Sequence, residues 1–215
     1  MPCAADMVIN PDLRFERRLW RSGFELIAGL DEAGRGALAG PVAVAAVVLM
    51  NTPHLARTLA GVRDSKQLTA LERERLTPSI QRFSPAWGIG FSSAEEIDWL
   101  GIVAATRLAA ARALEALPLL PDYLLTDFRL ELPELDLPQT ALVKGDQRSL
   151  SIAAASILAK TARDAHMREL DSQYSQYGFA RHKGYGTLLH RQAILQSGFS
   201  PIHRKTFSFR ETRIT

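Results

Sequence analysis

Residues 25–50 read ELIAGLDEAGRGALAGPVAVAAVVLM, two apolar runs of strand length held apart by an acidic, glycine-rich stretch. No other segment limits the fold as strongly. The second run is dense in valine and opens on Gly40-Pro41, a combination that favours a strand and breaks a helix. PAWGIGFSS, over Pro85–Ser93, has the pattern of a third strand. Further along, DYLLTD predicts a short buried strand ending in Asp127, and TALVKGD predicts another.

Helical spacing fills much of the rest. Asn10-Pro11-Asp12 supplies a cap, a proline suited to the first helical position and an early acid, ahead of the amphipathic LRFERRLWRSG that ends at Gly23. DSKQLTALERERL has helical spacing and dense charge, and SSAEEIDWLGIVAATRLAAARALEAL predicts one helix capped at Ser92 or Ser93. The proline-bearing LELPELDLPQ reads as a loop. SIAAASILAKTARDAHMREL predicts a helix whose small residues invite close packing, and the tail beyond it carries one helical run. This order of elements predicts an α/β domain on a mixed sheet.

The glycine-rich stretch raises a choice. Gly34, Gly36 and Ala39 satisfy the loose dinucleotide fingerprint G-x-G-x-x-G/A. That motif needs a helix starting at the glycines, so that free N–H groups meet a pyrophosphate. Here Gly40-Pro41 and a valine-rich strand follow instead. Asp31 and Glu32 would also repel a pyrophosphate unless a cation stood between them. With a divalent metal the same acids become ligands, and the glycines allow backbone N–H groups close to a substrate phosphate or hydroxyl. The plain alternative is that one acid caps the turn and the other is solvated.

Two further acids suit a metal scheme. Asp127 ends a buried strand, where a carboxylate needs a charged partner or a solvated cleft, and Asp146 lies between a strand and the small-residue helix. If Asp31, Glu32, Asp127 and Asp146 converge, they form an all-oxygen site suited to magnesium or manganese and unsuited to zinc. From Lys144 to Thr215 there are 12 Lys/Arg against 5 Asp/Glu, so the basic charge gathers in the C-terminal third, beside aromatic residues. Such a polarity fits a polyanionic partner, or simply a solvated charged surface. Clustered carboxylates beside a basic, aromatic tail suggest two-metal phosphodiester hydrolysis.

The 215 residues, 47% of them hydrophobic, suit one ordinary domain or a domain with a modest appendage. A lone cysteine, Cys3, is incidental; it excludes an internal disulfide framework and points to a reducing compartment. The N-terminal residues lack the pattern of a leader and no stretch stays apolar long enough to span a bilayer, so a cytoplasmic location is expected.

Several motifs are long enough to carry a resemblance: DEAGRG-x-x-AGPV from Asp31 to Val42, DSKQL from Asp64 to Leu68, the Asp127 strand, KGD followed by SIAAASILAKTARD through Asp164, and HKGYGT then HR-x-T-F near the C-terminus. In this order they resemble the ribonuclease HII family, the type 2 ribonucleases H. The resemblance implies an RNase H-like mixed sheet flanked by helices, with a catalytic domain over residues 1–164 and a helical, basic, substrate-binding extension over residues 165–215. It implies a metal-dependent endonuclease that cleaves RNA in RNA–DNA hybrids and incises 5′ of single ribonucleotides in duplex DNA, leaving 3′-hydroxyl and 5′-phosphate ends. Asp31, Glu32, Asp127 and Asp146 match the family's Mg2+- or Mn2+-binding carboxylates. Gly34-Arg35-Gly36 matches the loop that senses a 2′-hydroxyl largely through its backbone, and Tyr185 matches the tyrosine that packs on the sugar at the ribo-to-deoxyribo junction.

Lys66, Lys160, Lys183 and Arg204 are candidate phosphate contacts; Lys160, taken as lying at a helix end, has the alternative of offsetting the helix dipole. Asp164 is expected to brace its helix by a salt bridge. The sequence departs from the family at Phe128, where a glycine is usual, and at Gly101, where many relatives carry asparagine. Phe128 implies a different strand exit or a substrate contact. Two rival readings compete with this one: a protein that grips hybrid duplexes without cutting, and ribonuclease HIII, whose extra N-terminal domain and glutamate fourth acid have no counterpart here. Nothing in the sequence demands more than a monomer, and contacts with replication machinery are left open.

Overall fold

The structure, a computed structural model, describes residues 10–208. Cys3 and residues 209–215 of the basic tail lie outside the described residues. The strands are β1 (Ile27–Ala33), β2 (Val42–Val48), β3 (Ala86–Ser92), β4 (Tyr123–Asp127) and β5 (Gln139–Leu142). The α-helices are α1 (Arg14–Arg21), α2 (Leu55–Thr58), α3 (Ala70–Phe83), α4 (Ala94–Leu100), α5 (Ile102–Glu115), α6 (Leu150–Gln173), α7 (Phe179–His182) and α8 (Leu188–Ser197).

One sheet runs in the order β3-β2-β1-β4-β5. Strands β1, β2 and β3 pair antiparallel, whereas β4 is parallel to both β1 and β5, as expected of a mixed sheet. The register of β1 against β4 sets where two of the acids fall. Leu30 lies opposite Thr126, so the next step along both strands brings Asp31 level with Asp127. Because side chains alternate between faces, Ala28 and Leu30 join the core under α5, and Ala33 joins the core under α3 and α6. Every residue of β2 is buried, which fits a strand covered on both faces.

Helix α6 sits unusually close to β1. A Cβ on Gly29 would lie 2.2 Å from the Ser151 carbonyl carbon, so only glycine tolerates the approach. Ala153, Ala154 and Ala155 keep the helix face small, while buried Ile157 and Leu158 each contribute about 1.5–3 kcal/mol of burial. The N-terminus of α6 is tied to α1 by Glu16, whose buried carboxylate accepts from Ser149 Oγ at 2.6 Å, Ser151 Oγ at 2.7 Å and Ser151 N–H at 2.9 Å.

Some sequence expectations shift. Helix α1 starts at Arg14, with Asp12 in place of Asn10 accepting the Arg14 N–H at 2.9 Å. DSKQL is a 3-10 turn over Ser65–Gln67 capped by Asp64, and the helix proper opens after it on a Thr69–Glu72 capping box. The single helix expected from Ser93 onward is two, α4 and α5, because Gly101 at φ +77° turns the chain between them. Strand β5 stops at Leu142; Lys144 adopts φ +53° and Gly145–Gln147 form a 3-10 turn, so Asp146 is carried on a turn.

Helix α6 passes residue 164 without a break. Beyond it, Tyr177, Phe179 and Ile194 pack with Met167 against Leu38 and Ala39, joining the C-terminal segment to the glycine-rich loop. Among the described residues, no helix is long and apolar enough to cross a membrane.

Candidate functional site

Asp31, Glu32 and Asp127 meet where β1 and β4 run side by side: one carboxylate oxygen from each lies within 4.8 Å of the others. The cluster is largely withdrawn from water. Burial, then Glu32, Asp146 and Asp127, push Asp31 well above the ordinary carboxylate range, against a hydrogen bond from Ser156. Burial and then Asp127 likewise raise Glu32, with Arg35 and Lys66 opposing. Glu32 Oε2 is buried without a hydrogen-bond partner among the described residues. Asp127 Oδ1 accepts the Gly145 N–H at 3.0 Å and Asp31 Oδ1 accepts the Glu32 N–H at 2.8 Å, which fixes both carboxylates from the backbone. Hard oxygen donors that repel one another, one of them unsatisfied, fit a divalent cation.

Asp146 stands on the same cleft but outside that trio. Lys66 Nζ lies 3.5 Å from its Oδ2 and 3.9 Å from Asp64 Oδ1. Burial, followed by repulsion from Asp64, pushes Asp146 up to about 6, with Lys66 opposing. Asp64 is a further acid of the site that the sequence-derived set lacked. Its carboxylate accepts from Lys66 N–H at 2.9 Å and Gln147 Nε2 at 3.3 Å. Its only signal in the sequence was its place at the head of DSKQL.

Glu32, Asp64, Asp127 and Asp146 line an open cleft of about 650 Å³ that also takes in Arg35, Gly36, Lys66, Phe128 and Lys144, with Asp31 buried behind them. Phe128 is 57% exposed on the cleft wall. Its N–H bonds to Leu142 O at 3.0 Å, so the ladder continues one residue past Asp127.

The glycine loop reaches this cleft through Arg35 and Gly36, and Tyr185 packs near Lys160 and Arg163 of α6. Gly34 is buried at φ +91°, whereas a Cβ on exposed Gly36 would meet nothing within 4 Å. Arg35 Nη1 donates to Arg129 O at 3.2 Å. The Tyr185 ring lies 5.4 Å from Lys160 Nζ and 5.3 Å from the Arg163 guanidinium carbon. Its carbonyl meets His190 Nδ1 at 3.0 Å, and His190 Nε2 meets His203 Nε2 at 3.1 Å. Burial holds His190 and His203 down at about 4, so both rings are neutral near pH 7.

Of the four cations expected at phosphates, only Lys66 lines the cleft. Lys160 lies well inside α6 and not at a helix end, and it pairs with Asp164 at 2.7 Å. Asp164 also holds Arg73 at 3.1 Å, the bracing role expected of it. Lys183 Nζ donates to Ala180 O, and burial lowers its pKa. Arg204 is 0% exposed and its guanidinium serves backbone carbonyls, so it has no surface on which to meet a phosphate. Arg163, absent from the sequence-derived set, is buried the same way. No local pattern in the sequence distinguishes it from a surface arginine.

A mixed sheet carrying acids at the ends of its central strands, flanked by helices, defines an RNase H-like nuclease. The family model for ribonuclease HII matches residues 28–210. The chain is 56% identical over 200 residues to a ribonuclease HII of Chloroflexus aurantiacus, covering 92% of this chain and 93% of that protein. It is 53% identical to one of Syntrophotalea carbinolica over 91% of each. Among solved structures, it is similar to the RNase HII of a PCNA complex from Archaeoglobus fulgidus, with TM-score 0.72 and 26% identity over 88% of this chain and 98% of that one. A Bst-RNase HIII structure in complex with Mn2+ shares the fold, with TM-score 0.60 and 22% identity over 82% of this chain and 64% of that one. The chain belongs to the ribonuclease HII family. It is therefore an endoribonuclease of the divalent-metal-dependent type 2 class, with ribonuclease H activity on RNA–DNA hybrids.

Proposed function

We propose that this enzyme also incises duplex DNA on the 5′ side of a single embedded ribonucleotide, leaving 3′-hydroxyl and 5′-phosphate ends. The observation that carries this reading is the adjacency of two unlike devices in one cleft. Glu32 and Asp127 share its wall with exposed Gly36, so a sensor for a sugar hydroxyl can stand beside the point of cleavage. Only the 2′-hydroxyl separates a ribonucleotide from its deoxy neighbours, and glycine permits the close backbone approach needed to read it.

In this reading Asp31, Glu32 and Asp127 hold Mg2+ or Mn2+, with Asp146 as the fourth acid. Metal bound there supplies an activated water and neutralises charge on the leaving oxygen. The chain's own residues do the rest. Lys66 contributes positive charge at the mouth of the acidic cluster, where a phosphate must approach against four carboxylates. Tyr185, backed by Lys160 and Arg163, offers a ring to the sugar at the junction. The basic segment after residue 164 grips the duplex, and Phe128 contributes an apolar surface to the cleft. The enzyme works as a monomer.

The test is a 5′-labelled DNA duplex containing one ribonucleotide, incubated with Mg2+ or Mn2+ and sized against markers for each end chemistry. A single cut 5′ of the ribonucleotide is expected. Cutting 3′ of it, or no nick with either ion while long hybrids are still cleaved, would refute the proposal.

A further inference from the structure

Two fully buried arginines stand behind the glycine loop, and neither forms an ion pair among the described residues. Arg163 donates from Nε to Pro41 O at 2.8 Å, from Nη1 to Lys183 O at 3.0 Å and from Nη2 to Ala39 O at 3.2 Å. Arg204 donates from Nε to Gly40 O at 3.0 Å and from Nη1 to Arg35 O at 2.9 Å, while its Nη2 is buried with no hydrogen-bond partner among the described residues. Burying two like charges among carbonyls, with Asp164 and Asp98 acting on them only from beyond ion-pair distance, costs stability that apolar side chains would not cost. What the arrangement does provide is orientation: four carbonyls between residues 35 and 41 are turned inward by rigid planar forks.

One of those carbonyls decides which way a neighbouring donor points. The peptide bonds of the described residues are all trans, so the Arg35 C=O and the Gly36 N–H point in opposite directions. Arg204 holds that carbonyl on the buried side. The Gly36 N–H is thereby turned outward at an exposed residue of the cleft, and no acceptor engages it among the described residues. Arg163 ties the same loop to Lys183, two residues before Tyr185, and Leu38 N–H adds a bond to Gly184 O at 2.8 Å.

We infer that Arg204 is a positioning residue for ribose recognition: by fixing the Arg35–Gly36 peptide it aims the Gly36 N–H into the cleft as a donor to the substrate's 2′-hydroxyl oxygen, and Arg163 holds the Tyr185 segment in register with it. The inference rests on the proposed reading that this loop senses the 2′-hydroxyl.

The experiment compares wild type with Arg204→Lys, which keeps the charge but cannot span both carbonyls. Affinity is measured without divalent ions for a duplex carrying one ribonucleotide and for its all-deoxy twin, alongside Mn2+ affinity and melting temperature. The ribo-over-deoxy preference is expected to fall about fivefold toward unity, as the loss of one oriented hydrogen bond predicts, with Mn2+ affinity unchanged. A lysine variant that keeps the full preference overturns the role of Arg204. A wild type with no preference removes the sensing premise, and the inference with it.

Should the variant not fold, amide spectra of the wild type decide. The Gly36 N–H resonance is expected to shift with the ribonucleotide duplex and to stay put with the all-deoxy one. Equal responses to the two duplexes overturn the inference.

Discussion

Replacing Gly34 by alanine tests how the glycine-rich loop is built. Its geometry imposes two costs. Gly34 has φ +91°, and holding an L-residue in left-handed backbone costs about 1–2 kcal/mol. The new Cβ would also stand 1.8 Å from Arg163 Nε and 2.5 Å from its guanidinium carbon. A long side chain normally swings away from such a clash. Here it is fully buried and fastened to Pro41, Lys183 and Ala39, so moving it breaks bonds to carbonyls that water cannot reach. Bonds involving a charged group contribute about 1.5–3 kcal/mol each, and losing one or two brings the expected total to about 2.5–8 kcal/mol.

Urea unfolding of the metal-free protein, followed by circular dichroism, measures it. With a urea slope of about 1–3 kcal/mol per molar, the midpoint should drop by more than about 1 M at unchanged slope. A loss below about 1 kcal/mol would show that the Arg163 fork is not rigid, and would refute the reasoning. Gly36→Ala is the internal contrast. With open space around its Cβ, stability should change by less than about 0.5 kcal/mol, while kcat/KM on a single-ribonucleotide duplex should fall if, as proposed, the methyl intrudes where the 2′-hydroxyl is sensed.

Asp127→Asn should abolish nicking in Mg2+ while leaving the affinity for hybrid duplexes largely intact, since it removes a proposed metal ligand and no proposed phosphate contact; turnover at the wild-type rate would count against the assignment. Asp146→Asn should stabilise the metal-free protein. The folded pKa of Asp146, about 6, lies above the 3.8 of the unfolded chain, so its charge opposes folding by on the order of 2–3 kcal/mol at pH 7. That penalty fades as pH falls through about 6 and is gone below 3.8, so the two unfolding curves should converge on acidification; a gap independent of pH would contradict the burial of the carboxylate. Tyr185→Ala should slow cleavage of single-ribonucleotide duplexes more than of long hybrids, and equal losses on the two would remove its junction role.

Much of the fold was legible because local chemistry and tertiary context agree. The valine-rich run of β2, the capped start of α4 and the small-residue face of α6 each carry a period or a cap that survives packing. Where expectation failed, a single backbone feature outranked the pattern: Gly101 split one predicted helix, and Lys144 in left-handed backbone ended β5 early. Asp31, Glu32, Asp127 and Asp146 could be named from their motifs. That the first three converge depends on the parallel register of β1 and β4, a pairing between residues almost a hundred positions apart.

The sequence by itself determined the kinds of atom available: hard oxygens suited to a divalent ion, glycines where a backbone can come close, and cations that all read alike as phosphate contacts. Tertiary structure alone decided which cations face the cleft and which lie behind it. Arg204 and Lys66 are the same charge in one dimension. Burial against the carbonyls of Arg35 and Gly40 makes the first a brace for the loop, whereas Lys66 stays in the cleft beside Asp146, because a charge withdrawn from water must be satisfied by the backbone around it.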